Sequence, residues 1–188
     1  VYPDLYDGIN LRSIDIRELY RNIDRPHMFD GLSASEQGLR YIRSWISKNL
    51  IKDPIVTISI RDCEFDKARN SNIEAWSKFS IYLKSKGYYP VVIPDTDAAF
   101  GEDHRFDGVM VFRECAWNIG LRVALHESAF LNFFVDHGCL SLAQWNPRCS
   151  YIAMNHLPVD SLVTTKESWE YIGHTIGESY KFATSNQK

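Results

Sequence analysis

Two groups of residues in this 188-residue chain have types and spacing suited to chemistry. The first is Arg61, Arg69, Asn70 and Asn72, which follow the apolar, β-branched run Ile55 to Ile60. An arginine at the end of a buried strand points into the crevice above a sheet, where its planar guanidinium can hold a phosphate through two parallel hydrogen bonds. A helix starting near Ser71 would add free backbone N–H groups and a partial positive charge. Together these features suit a diphosphate. The alternative is that Arg61 pairs with Asp62, Glu64 or Asp95 and that Arg69 is solvated.

The second group is Asn132, Asp136, His137, Gly138 and Ser141, at the end of the apolar run Leu131 to Asp136. Glycine there permits close backbone approach or a positive φ. Such a turn suits an anion or a ribose. His137 is a hydrogen-bond donor or a general acid or base near neutral pH, with Asp136 beside it. Equally open is that Asp136 and His137 only cap the next helix. Glu127, in LHESAF, could reach a ligand hydroxyl, although a solvated helix face is the commoner fate of such a residue. Asp95 and Asp97 could form an acid/base pair, but Pro-Asp-Thr-Asp more often only turns the chain.

These groups need elements to position them. Ile55–Ile60, Tyr89–Ile93 and Leu131–Asp136 read as short buried strands, as does Tyr151–Met154, with Gly108–Phe112 as a further candidate. Helical spacing marks residues 34 to 50, the stretch from Ser71 with Ile73, Trp76, Phe79, Ser80 and Leu83 on one face, and Ile119–Ala129. Ser33 and Ser71 each stand three residues before a glutamate, the spacing of a capping box. Gly87 is placed to stop the second helix. A final amphipathic helix is expected over Lys166–Ala183, carrying Trp169, Ile172, Ile176 and Tyr180. Residues 1 to 33 pattern poorly: Ile14–Ile23 reads as a short helix, and the aromatics Tyr2, Tyr6, Tyr20 and Phe29 offer a contact surface. The alternation predicts an α/β fold, a Rossmann-like three-layer sandwich with a mainly parallel sheet, in a single domain over 1–188 with an irregular lead-in. In such sheets ligands bind beyond the carboxyl ends of the strands, so Arg61 and Gly138 are expected at the same end.

Composition narrows the function classes. At 45% hydrophobic and 13% aromatic residues, the chain can bury an ordinary core. A net charge of -3 provides no basic field for nucleic acid. No apolar run reaches the length of a membrane span, and the opening VYPDLYDG is not a signal peptide. Cys63, Cys115, Cys139 and Cys149 fit neither a zinc pattern nor a disulfide scaffold, which predicts a reducing, cytoplasmic setting. His126 and His137 are not readable as a metal pair. No G-x-S-x-G elbow, G-x-G-x-x-G loop or P-loop occurs.

The order of these features resembles the C-terminal half of GT-B glycosyltransferases, heptosyltransferase-like or O-fucosyltransferase-like. The likeness covers about residues 54 to 155 and rests on the strand ending in Arg61, the helix-capping loop, the strand followed by Pro94-Asp95-Thr96, and LHESAFLNFFVDHGCLSLAQW. The heptosyltransferase turn reads Asp-Ser-Gly-Pro where this chain has Asp136-His137-Gly138-Cys139. The fucosyltransferase strand carries His-x-Arg-Arg where this chain has Ser59-Ile60-Arg61-Asp62. The resemblance implies a donor-binding domain. Arg61 would meet the diphosphate of a nucleotide-sugar, and the Asp136-His137-Gly138 turn would lie by the phosphates or the ribose. It implies no metal or other cofactor, an acceptor of unknown identity, and a preceding N-terminal domain in a longer protein. Two other functions fit the same half-fold: a non-catalytic Rossmann-like interaction module, and a sugar-nucleotide epimerase or hydrolase.

Overall fold

The computed structural model describes residues 32–101, 104–154, 157–161, 164–171, 173–180 and 183–187. The expected helix at Ile14–Ile23 and the aromatics Tyr2, Tyr6, Tyr20 and Phe29 lie outside them. The described helices are α1 (Glu36–Lys48), α2 (Ile73–Ser85), α3 (Glu114–Trp117), α4 (Ile119–Ser128), α5 (Ser141–Gln144) and α6 (Lys166–Tyr171). The strands are β1 (Ile55–Ser59), β2 (Tyr89–Ile93), β3 (Met110–Val111), β4 (Leu131–Val135) and β5 (Tyr151–Met154).

The five strands form one sheet in the order β3-β2-β1-β4-β5, and every pairing is parallel. This is the Rossmann-like α/β architecture. β1 lies at the centre, and all five of its residues are buried, as a strand covered on both faces requires. Alternation along the strands divides the core. Val56, Ile58, Ile60, Phe133 and Val135 pack with Trp76 and Leu83 of α2. Ile55, Val91 and Ile93 face the other way and pack with Ile42 of α1 and Leu121, Ala124 and Leu125 of α4. Each large apolar side chain so buried contributes roughly 2 kcal/mol. Helices α1 and α4 approach so closely that a Cβ on Gly38 would stand 3.0 Å from the Ala124 Cβ.

Several local expectations shift. Both capping residues move by one or two positions. Ser35, not Ser33, caps α1 by accepting from the Gly38 N–H at 3.1 Å. Asn72, not Ser71, caps α2 by accepting from the Ala75 N–H at 3.0 Å. Ser71 is diverted because its hydroxyl accepts from the Arg61 N–H at 2.9 Å. Gly87 ends α2 at φ 79°, as its position implies. The third strand shrinks to Met110–Val111 at the sheet edge. The last helix stops at Tyr171 rather than running to Ala183. Gly173 adopts φ 75° and Gly177 φ 91°, and the Gly173 and His174 N–H groups bond back to Glu170 and Trp169. That pattern closes a helix rather than extending it. Near the end of the chain, the buried Gln187 side chain donates to the carbonyls of Ala143, Asn146 and Cys149.

Candidate functional site

Register places the two proposed turns side by side. Ser59 of β1 pairs with Phe134 of β4, so Arg61 and Asp136, each two residues further on, leave the sheet together. The same alternation puts Thr57, Ser59 and Arg61 on one face, beside Asn132, Phe134 and Asp136. Arg69 closes the gap between the turns. Its Nη2 donates to the Asp136 carbonyl at 2.9 Å and lies 3.5 Å from the Asp136 carboxylate.

Arg61 is only 5% exposed, and its guanidinium is turned back into its own loop. Nη1 donates to the Asp66 carbonyl at 3.0 Å and to Asn70 Oδ1, and Nη2 donates to the Phe65 carbonyl. None of the three carboxylates considered as partners holds it. Asp62 pairs with Arg105 at 2.7 Å, Glu64 with Lys67 at 2.7 Å, and Asp95 accepts from the Asp62 N–H at 2.8 Å. Asn70 completes the fold of the loop, donating to the Cys63 carbonyl at 2.9 Å. Asn72 is engaged as the helix cap. Asp95 holds the end of β2 to the β1 loop, while Asp97 is exposed.

Beyond β4, His137 starts a 3-10 turn, Gly138–Leu140. Its Nδ1 accepts from the Cys139 N–H at 3.4 Å. The proton of the neutral ring therefore sits on Nε2, which is sealed from solvent and has no partner. Burial, with Arg122, Arg61 and Arg69 around it, pushes the His137 pKa down to about 3. At neutral pH it is thus an uncharged donor, not a group poised to titrate near 7 as its residue type alone suggested. Gly138 does not need a left-handed backbone, and a Cβ there would meet nothing within 4 Å. Open space lies over this residue.

Glu127 is not brought to this crevice. It sits at the C-terminal end of α4, on the approach to the start of β4. Its carboxylate is buried rather than solvated. It accepts from the Ala34 N–H at 2.5 Å and the Asn146 side chain at 2.7 Å, with Arg148 3.7 Å away.

The sequence reading missed Arg122. It stands in the apolar stretch Gly-Leu-Arg-Val-Ala-Leu and is 4% exposed. Its Nη1 donates to Cys139 Sγ, its Nε has no partner, and no carboxylate pairs with it among the described residues. A charged residue inside an otherwise apolar helix face was the available signal. Asn132 of the second group forms a buried network nearby. Asn132 Oδ1 accepts from Thr57 Oγ1 at 2.5 Å and from His126 Nδ1 at 2.8 Å. Its Nδ2 donates to the carbonyls of His126 and Ser150. Burial and the Arg122 charge lower the His126 pKa to about 3.

No family model matches the chain, and no curated protein matches it. Among solved structures it is similar to ADP-heptose LPS heptosyltransferase II of E. coli, with TM-score 0.54 and 13% identity over 84% of this chain and 44% of that one. It is also similar to a family 9 glycosyl transferase from Veillonella parvula DSM 2008, with TM-score 0.52 and 13% identity over 66% of this chain and 42% of that one. The chain shares its fold with glycosyltransferases. It spans less than half the length of either protein. Among the described residues no helix is long and apolar enough to cross a membrane.

Proposed function

We propose that this chain is a glycosyltransferase-type domain that binds a nucleotide-sugar donor by its diphosphate, in the crevice between the β1 loop and the β4 turn. One observation carries the reading: Arg69 donates to Asp136 and Arg122 to Cys139, on either side of His137, in the turn that leaves β4 beside the Arg61 end of the adjacent parallel strand. A fixed positive field there stabilises the charge that develops on a departing nucleoside diphosphate. In this reading Arg69 and Asp136 hold the two turns in register. Arg61 and Asn70 shape the loop and add charge, and Asn72 with the start of α2 borders the phosphates. His137 donates to the donor, and Gly138 lets it approach. Glu127 then serves the scaffold.

No metal is required by this scheme, because the arginines supply the positive charge. The acceptor belongs to a further domain, in keeping with the share of its structural neighbours that the chain spans. The four free thiols fit a cytoplasmic setting.

Titration with UDP, GDP and ADP, each with and without EDTA, tests the proposal. One of the three should release heat and raise the melting temperature in both conditions. No heat and no melting shift with any of them would sink it.

A further inference from the structure

Buried polar atoms without partners are rare in folded proteins, and each needs a cause. Among the described residues, five such atoms gather in one region. Ser59 Oγ, Arg69 Nε, Arg122 Nε, His126 Nε2 and His137 Nε2 are all buried without a hydrogen bond, and they belong to residues around β1, α4 and the β4 turn. Three of these atoms are donors by necessity. Arg69 Nε and Arg122 Nε each carry a hydrogen, and so does His137 Nε2, because its Nδ1 is an acceptor.

Arg122 is the least compensated of the group. Arg61 has carbonyls and Asn70, and Arg69 has Asp136. Among the described residues Arg122 has a thiol, which is a weak acceptor with no charge to offset a guanidinium. Burial raises the Cys139 pKa, so the sulfur remains protonated at neutral pH despite its cationic neighbour. A buried guanidinium without a counter-charge is strongly unfavourable unless something supplies one.

We propose that Arg122 is the principal anion-binding residue of the crevice, its guanidinium together with His137 Nε2–H and Arg69 Nε–H receiving a phosphate group of the bound ligand, while Arg61 supports the loop. This rests on the donor-binding reading and deepens it by naming which arginine reads the phosphate. Phosphate suits the arrangement because its several acceptor oxygens and negative charge answer several donors and an unpaired cation at once. The open space over Gly138 gives the anion room to approach.

The test uses inorganic pyrophosphate, UDP, GDP and ADP with the wild-type chain and Arg122→Met, which keeps the length of the side chain without its charge. In Arg122→Met, pyrophosphate affinity should fall at least tenfold, while the ligand-free protein melts at the same temperature or higher, because an uncompensated buried charge has been removed. Wild-type affinity in that variant would overturn the inference, as would a lower ligand-free melting temperature. Nitrogen NMR of His137 in the wild type gives a readout independent of any variant. Its Nε2 resonance should move on addition of pyrophosphate, and an unmoved resonance would overturn the inference. Failure of this idea is separable from failure of the donor reading. If a nucleoside diphosphate binds wild type and Arg122→Met equally, the donor reading stands and Arg122 is not its anchor. If pyrophosphate needs Arg122 but no nucleoside diphosphate binds more tightly than pyrophosphate, the anion site stands and the donor reading falls.

Discussion

The loop after β1 and the turn after β4 leave neighbouring parallel strands at the same level, yet they treat their polar groups in opposite ways. In the β1 loop, Arg61 donates to two carbonyls and Asn70, Asn70 bonds back to Cys63, Ser71 takes the Arg61 amide, and Asn72 caps α2. In the β4 turn, His137 Nε2 is left without a partner, and so is Nε of Arg122 behind it. The difference teaches where to look for a ligand. A long polar loop needs an internal organiser, and a buried arginine with several donors fills that role. A short turn has few acceptors of its own, and among the described residues these donors find none. The arginine most visible in the sequence therefore organises the scaffold, and the one hidden in a helix keeps a donor without a partner among the described residues.

The comparison can be broken most forcefully at Arg61. Arg61→Ala leaves three acceptors without their donor and should destabilise the protein by roughly 4 kcal/mol, read as a shift of the urea midpoint. If the midpoint barely moves, the β1 loop does not depend on its arginine and the contrast collapses. Acid acts next, on the other side of the comparison. His126 and His137 titrate far lower in the folded protein, at about 3, than the ordinary 6.5. The unfolded chain therefore binds more protons between those values. Stability is complete above about pH 6.5 and is lost as pH falls toward 3. By pH 5 the fully buried His126 alone should remove roughly 2 kcal/mol, with a smaller share from the half-buried His137. Urea melts across pH 5 to 7 measure this, and His126→Gln should flatten the profile. The gentlest probe is Asn72→Ala, which removes one cap hydrogen bond and should cost about 1 kcal/mol. A much larger loss in its urea midpoint would mean that Asn72 holds more than the start of α2.

Much of the architecture was legible because its signals are local. Tyr89–Ile93 and Tyr151–Met154 form strands over the spans their apolar runs predict. The face of α2 carrying Trp76, Ser80 and Leu83 is buried as helical spacing implies. Capping was less legible: Ser33 and Ser71 have the right spacing, but neighbouring Ser35 and Asn72 do the capping. Ser71 was claimed by an amide ten residues earlier in the chain. The overlong last helix failed at two glycines whose positive φ breaks it.

Sequence by itself determined the alternation of strands and helices, the parallel α/β class and the placement of two polar turns at strand ends. Those follow from hydrophobic period and short-range turn chemistry, which act within a few residues. Only the tertiary structure decided what the polar side chains do. It turned Arg61 inward, joined Arg69 to Asp136 across 67 positions, secured Glu127 to Ala34 across 93, and buried Arg122 against Cys139. A buried donor takes whichever acceptor the packed chain brings within about 3 Å, and sequence spacing does not carry that information.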